Sequence, residues 1–404
     1  MTRYNPVMTY VPRLLLLFSL ALLPVVAADN TAVAVAGFDE LVRQDYAALS
    51  RRFSPQMAAA LPAEKLSSAV GPALQSLGAL RGARPQPQMA PGQGLQVFTF
   101  PAVFEKGKIQ VVIAVNAEGQ IAGLRLLPAP PDEAKPGELT VNTGDLRLPA
   151  TLTVPAGDGP FPAVVLVHGS GPHDRDETIA ANAPFRDLAE GLAARGIATL
   201  RYVKRTKQYP QRPVATVKEE VIDDAVNALA LARTQTRIDP NRVFLLGHSP
   251  GGYLAPRIAA QDGRVAGIIL LAANARPILE AAKEQIEYIG ARPETLDLVK
   301  SAAPDSYWRD LDLYDPVASA RNVRAPILAL QGERDYQVTF KDFEMWRQGL
   351  KSRTDVVFKT YPKLNHLFLE GEGKPMPAEY SVPGHIPAYV MDDIAAFIRN
   401  PAGK

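Results

Sequence analysis

The chain has 404 residues, with 44 basic against 42 acidic side chains, 36 prolines and no cysteine. At ~100–200 residues per domain, this length holds two or three domains, and 47% hydrophobic with 21% charged residues is a globular composition. The missing thiols exclude disulfide scaffolds, thiolate zinc sites, cysteine nucleophiles and iron–sulfur centres, and a formal charge of +2 excludes a strongly basic nucleic-acid binder.

Residues 1–28 read as a secretory signal peptide, with Arg3 and Arg13, an apolar stretch from Leu14 to Leu23, and the small-residue run Val25-Val26-Ala27-Ala28. The apolar stretch is shorter than the ~20 residues of a membrane span, and Pro24 breaks it. No cysteine follows it, which excludes a lipoprotein anchor. Cleavage after Ala27 or Ala28 removes both arginines and leaves 42 basic against 42 acidic residues. The mature chain is therefore expected to be periplasmic or secreted, formally neutral, and without stable membrane insertion.

Residues 30–127 pattern as a small α+β accessory domain. Phe38, Leu41, Val42, Ala47 and Leu49 suggest one helix and residues 63–80 a second. Strand-like runs start at Leu95, Lys108 and Gln120, the last two joined by the turn Asn116-Ala117-Glu118-Gly119. No motif here carries chemistry; the expected roles are packing, homo-oligomerisation or shaping a cleft. Residues 128–138, PAPPDEAKPGE, contain four prolines and one glycine and read as a linker.

From residue 139 to residue 400 strands and helices alternate. The segment FPAVVLVHG ends near His168, helical FRDLAEGLAARG precedes strand-like IATLRYV, and Thr216-Val217-Lys218-Glu219 forms a capping box at the start of a longer helix. The near-continuous apolar runs from Val243, Val265 and Ala325 are those of strands covered on both faces. This predicts an α/β fold with a doubly wound, mostly parallel sheet. Residues 274–320 contain helical pieces between two core strands and read as a cap insertion. Their polarity is mixed, with Glu280, Lys283, Glu284 and Glu287 beside Ile278, Leu279, Ile286 and Ile289.

Gly247-His248-Ser249-Pro250-Gly251 sets a G-x-S-x-G motif between an apolar strand and a helical segment. Glycines two residues either side of the serine allow the strained turn that lifts its hydroxyl over the sheet edge, so Ser249 is the expected nucleophile. The chain has five histidines. His168 and His248 read as structural members of their motifs, and in this fold class the base follows the acid in the chain. That leaves His366, just after the strand-like DVVFKTY, and His385 as the reserve. Asp335, in the loop after APILAL, is the expected orienting carboxylate, although alternation along the loop could present Glu333 instead. Asp315 reads as a turn or helix cap. The Asp174-Arg175-Asp176-Glu177 cluster, Lys204 and Arg205 read as loop-anchoring ion pairs in preference to a metal site.

Residues 139–400 resemble the α/β-hydrolase superfamily. More narrowly they are similar to bacterial exported hydrolases of the esterase and prolyl-oligopeptidase-like group. The loop His168-Gly169-Ser170-Gly171-Pro172-His173-Asp174-Arg175-Asp176-Glu177 and the segment Arg201-Tyr202-Val203-Lys204-Arg205 carry the likeness. An N-terminal module of nuclear-transport-factor-like type also resembles that group. The resemblance implies serine-dependent hydrolysis of carboxylic esters without a cofactor. It also implies an oxyanion donor from the backbone of Gly169 or Ser170. The second donor should be the N–H of the residue after the nucleophile, but Pro250 has none. Either the oxyanion hole is one donor short and the protein is a weakened enzyme or binding scaffold, or a side chain such as Ser170 or His173 supplies the bond. A peptidase or thioesterase on the same triad remains an alternative by analogy.

Overall fold

A computed structural model describes residues 30–91, 95–128, 139–212 and 214–401. The expected signal peptide, and the linker apart from Pro128, lie outside these residues. The chain divides into two compact units, Met1–Ala129 and Pro130–Lys404.

The first unit has helices α1 (Thr31–Val42), α2 (Tyr46–Ser50), α3 (Pro55–Ala60) and α4 (Ala63–Leu77). They precede strands β1 (Gln88–Pro91), β2 (Leu95–Phe104), β3 (Gly107–Asn116) and β4 (Ile121–Pro128), an antiparallel sheet in that order. The single helix expected through Leu49 is two, because the chain turns at Gln44, whose φ is +59°, and Asp45 caps α2 through Ala48 N. Period-2 alternation turns Phe98, Phe100, Ala102 and Phe104 inward, and Phe38 of α1 stacks on Phe100 at 4.6 Å. One sheet face is thus covered by helices, with Arg52 clamping Glu40 at 2.7 Å at the margin.

The second unit contains an eight-stranded sheet. In chain order its strands are β5 (Thr140–Thr143), β6 (Leu146–Thr153), β7 (Phe161–Val167), β8 (Ala198–Tyr202), β9 (Ile238–His248), β10 (Ile268–Leu271), β11 (Ile327–Gly332) and β12 (Val356–Tyr361). The spatial order is β12-β11-β10-β9-β7-β8-β6-β5, parallel from β12 to β8, with β6 and β5 antiparallel at one edge. The antiparallel hairpin β5–β6 was not legible as a pair, since its turn rests on Gly144 alone, at φ +59°.

Its helices are α5 (Pro184–Ala193), α6 (Arg205–Gln208), α7 (Asp223–Arg233), α8 (Pro250–Asp262), α9 (Ile278–Tyr288), α10 (Thr295–Ser301), α11 (Asp305–Leu313), α12 (Pro316–Asn322), α13 (Phe340–Gly349) and α14 (Ala388–Arg399). The expected long helix after Thr216 begins as a π-helical turn, Lys218–Ile222, before α7. Helices α9 to α12 form the insertion between β10 and β11.

The central strands feed two cores. Val165, Val167, Leu245, Ile268 and Ala329 pack on one face, while Val164, Leu166, Phe244, Leu246, Ile269 and Leu328 pack on the other. Because both faces are buried, these strands read as unbroken apolar runs rather than alternating ones. Their C-terminal ends all lie along one edge, which is where an open parallel sheet leaves a crevice for a ligand. Among the described residues no helix is long and apolar enough to cross a membrane.

Phe244 is 1% exposed and meets Phe397 of α14 edge-to-face at 6.2 Å. Phe244→Ala is expected to destabilise the protein by about 3–5 kcal/mol, read as a lower urea midpoint at unchanged slope.

Candidate active site

The turn between β9 and α8 holds Ser249 at φ 54° and ψ −123°, a left-handed conformation that costs energy in a non-glycine residue. Close packing enforces it. A Cβ at Gly247 would stand 2.3 Å from Gly251 O, one at Gly251 2.4 Å from Val167 O, and one at Gly252 2.5 Å from the Ala273 side chain. Only glycine fits at these three approaches, which press the elbow against β7 and the segment after β10. Pro250 occupies the first turn of α8, where a missing N–H costs the helix nothing.

Asp335 and His366 come from the loops after β11 and β12 and meet in a hydrogen bond, Nδ1 to Oδ2, of 2.7 Å. Asp335 is 6% exposed and His366 4%. The other carboxylate oxygen accepts N–H groups from Gln337 and Val338 at 2.8 and 2.9 Å, so the acid is rigidly held before it meets the ring. Gln331 donates a further bond to Oδ2 at 3.2 Å. The His366 loop is pinned by Asn365, whose side-chain oxygen accepts from Leu367 N and Leu369 N at 3.0 and 3.2 Å. With Nδ1 committed to the carboxylate, Nε2 is the nitrogen left to act as a base.

The reserve candidates lie elsewhere. The His385 side chain is 87% exposed and pairs with Asp187 at 2.9 Å, which raises its pKa. Glu333 is exposed and accepts from the Thr360 hydroxyl at 2.8 Å. Asp315 caps α12 through Ala318 N.

His168, Gly169 and Ser170 follow β7, and the loop folds on itself. His168 Nε2 donates to Asp174 O at 2.9 Å, and burial pushes its imidazole down to about 3, so the ring is neutral. Asp176 pairs with Arg186 and Arg201, and Arg205 pairs with Asp224, so these charges anchor loops. The expectation that Gly169 could offer an oxyanion donor needs correction. Its N–H donates to Glu177 Oε1 at 2.6 Å and is already spent.

Glu177, which the sequence offers only as one acid of the Asp174-Arg175-Asp176-Glu177 cluster, lies at the centre of the site's charge. It is fully buried, held at φ +51°, and its second oxygen stands 3.0 Å from His248 Nδ1. The two atoms stand within ion-pair distance. His248 Nε2 donates to the His366 carbonyl at 3.0 Å, which leaves a neutral ring facing the carboxylate with a bare lone pair. Protonation of Nδ1 removes that clash. Burial lowers the His248 pKa, but the Glu177 carboxylate outweighs it and the net shift is upward. Burial likewise raises the Glu177 pKa, yet His248 brings it down to about 2. The two form a buried ion pair immediately before Ser249. His248 also joins the elbow to the His366 loop, since the two rings lie 4.7 Å apart.

Cavities of 320 Å³, between β5 and α7, and 570 Å³, beside the insertion, are bordered by neither Ser249, Asp335 nor His366. Among the described residues no group of three or more His, Asp or Glu side chains is set to hold a metal.

Residues 205–381 match the sequence profile of the prolyl oligopeptidase family. Esterase EstD of Thermotoga maritima is 36% identical over 334 residues, 75% of this chain and 79% of that protein. The quorum-quenching protein AidA of Acinetobacter baumannii is 30% identical over 134 residues, 33% of this chain and 42% of that one. Among solved structures, the esterase Est1E from Butyrivibrio proteoclasticus with ferulic acid bound is 16% identical, covering 66% of this chain and 100% of its own, with a TM-score of 0.47.

The ion pair beside the elbow makes a signed prediction. Glu177, depressed in the fold, contributes stability above its unfolded value of 4.5 and loses it as pH falls through about 2. His248, raised in the fold, contributes fully below its unfolded value of 6.5 and loses it as pH climbs through the folded value. Melting curves from about pH 4 to about pH 9 should show the largest deficit of Glu177→Gln against wild type between about 4.5 and 6.5, narrowing above that window. A deficit independent of pH would contradict a charged pair.

Proposed function

Because the chain belongs to the α/β-hydrolase family of the esterase EstD, we propose that it is a serine-dependent hydrolase of carboxylic esters acting through an acyl-enzyme on Ser249. The observation that carries the reading is the 2.7 Å bond from His366 to Asp335, each from its own loop at the strand edge that also bears the strained Ser249.

In this reading His366 Nε2 takes the Ser249 proton as Oγ attacks the ester carbonyl. Asp335 keeps the proton on Nδ1 and stabilises the imidazolium that forms, without itself being protonated. The tetrahedral oxyanion accepts the Ser170 N–H. His366 then returns the proton to the departing alkoxide, and the alcohol leaves. Water attacks the acyl-enzyme, giving a proton to Nε2, which passes it to Ser249 Oγ as the C–O bond to the serine breaks, releasing the acid and restoring the free serine. No electron transfer or metal enters the cycle.

Pro250 supports a second reading, a weakened hydrolase. With no N–H at that residue and the Gly169 N–H bonded to Glu177, Ser170 is the backbone donor that remains. The Arg3, Arg13 and Leu14 to Leu23 pattern supports export to the periplasm or beyond.

Hydrolysis of p-nitrophenyl acetate and butyrate tests both readings. Ser249→Ala is expected to fall to background, and activity equal to wild type would sink the nucleophile assignment. Asp335→Asn should lower kcat by about 10⁴, because it leaves the ring in the wrong tautomer. Pro250→Ala, which restores an N–H, is expected to raise kcat by up to about 10² at little changed KM. A wild type that is silent where Pro250→Ala turns over would favour the scaffold reading.

A further inference from the structure

We propose that Lys204 is a positioning residue for the oxyanion site: through the Gly169 carbonyl it sets the direction of the Ser170 N–H, and through Glu220 and Tyr307 it ties that direction to the cap insertion. The inference rests on the reading of Ser249 as nucleophile and Ser170 as donor.

Lys204 follows β8 and is 5% exposed. Its Nζ donates to Gly169 O at 2.9 Å and stands 2.9 Å from Glu220 Oε1. The Tyr307 hydroxyl, on α11 of the insertion, donates to the other Glu220 oxygen. Burial pushes the Glu220 carboxyl up, but Lys204 and the Tyr307 bond bring it below its ordinary value, so the acid is ionised against the ammonium.

The peptide unit is planar and trans, so its C=O and N–H point in opposite directions. Fixing Gly169 O therefore fixes the Ser170 N–H, aimed away from Lys204. The preceding peptide is fixed as well, by the 2.6 Å bond from Gly169 N to Glu177. Gly169 is thus gripped by an acid on one side and a base on the other. Among the described residues the Ser170 N–H has no acceptor of its own, and Ser170 is exposed. The gripped segment abuts the nucleophile, since a Cβ at Gly169 would stand 3.4 Å from Ser249 Cβ.

An ammonium on the carbonyl oxygen also draws electron density through the peptide and makes its N–H a stronger donor. That matters more here than in a site with two backbone donors, because Pro250 offers none. Burying a lysine–glutamate pair brings little or no net stability over an apolar pair. Orientation and polarisation of the Gly169–Ser170 peptide give it a function that stability does not.

The double variant Lys204→Met/Glu220→Gln removes the ammonium without stranding a buried carboxylate. With folding checked by circular dichroism, kcat for p-nitrophenyl acetate is expected to fall about 10- to 100-fold while KM stays within about threefold. Affinity for an alkyl trifluoromethyl ketone, whose adduct carries the same oxyanion, should fall by a similar factor. A folded double variant with kcat within about twofold of wild type overturns the proposal, as does a loss of kcat at unchanged ketone affinity. Should the double variant not fold, Tyr307→Phe decides: a drop in kcat of about threefold or more at constant KM supports the relay, and no drop overturns it. Ser249→Ala is measured alongside. Activity there overturns the nucleophile reading, whereas a silent Ser249→Ala beside an unaffected double variant overturns the Lys204 inference alone.

Discussion

The closeness of Gly251 to the backbone of Val167 and His168, where a Cβ would stand 2.4 and 2.6 Å from their carbonyl oxygens, governs the geometry of the whole site. Two central strands, β7 and β9, end side by side, and the first turn of α8 is pressed against the end of β7. The chain leaving β9 has no room for an ordinary descent into the helix. It turns through a left-handed residue, and that residue is Ser249. The same approach sets Gly169, two residues past β7, beside the elbow, where a Cβ on it would stand 3.4 Å from Ser249 Cβ. Ser249 and the loop after β7 are thus neighbours because of sheet packing, before any polar contact is counted.

Polar contacts then lock what packing has brought near. Asp335 with His366, Glu177 with His248, and Glu220 with Lys204 are three buried acid–base pairs around one short stretch of chain. Each alone would be a poor source of stability, since desolvation offsets most of the attraction. Together they share partners. His248 bonds to the His366 carbonyl, Glu177 takes the Gly169 N–H, and Lys204 takes the Gly169 carbonyl. A shift in one pair would therefore be felt at the others, which is the behaviour of a network rather than of separate bridges. Tyr307 extends it to the insertion, whose Leu298 and Leu313 are exposed.

Much of the fold was readable because its signals are local. A strand buried on both faces must be apolar throughout, so β7, β9, β10 and β11 stood out. The elbow stood out because the glycines its turn requires flank the serine at fixed spacing. Elements that depend on partners were less legible. The hairpin β5–β6 carries only four residues in its first strand, and the break between α1 and α2 follows from a positive φ at Gln44 that no pattern announces. In the site, Asp335 and His366 could be reached by chain order and loop position, and the structure joins them in one hydrogen bond. Gly169 misled, because a glycine in a donor loop looks like a free N–H until the acceptor eight residues on is seen.

By itself, then, the sequence determined the doubly wound sheet, the strained serine turn and the loss of an N–H at Pro250. These are properties of neighbours in the chain: periodicity, glycine spacing and the chemistry of one ring. Tertiary structure alone decided which charges meet. Glu177 pairs with His248 across 71 positions, and Lys204 reaches Gly169 across 35. Such contacts depend on where strand ends converge, and a side chain in a polar loop carries no local mark of the partner that folding will bring to it.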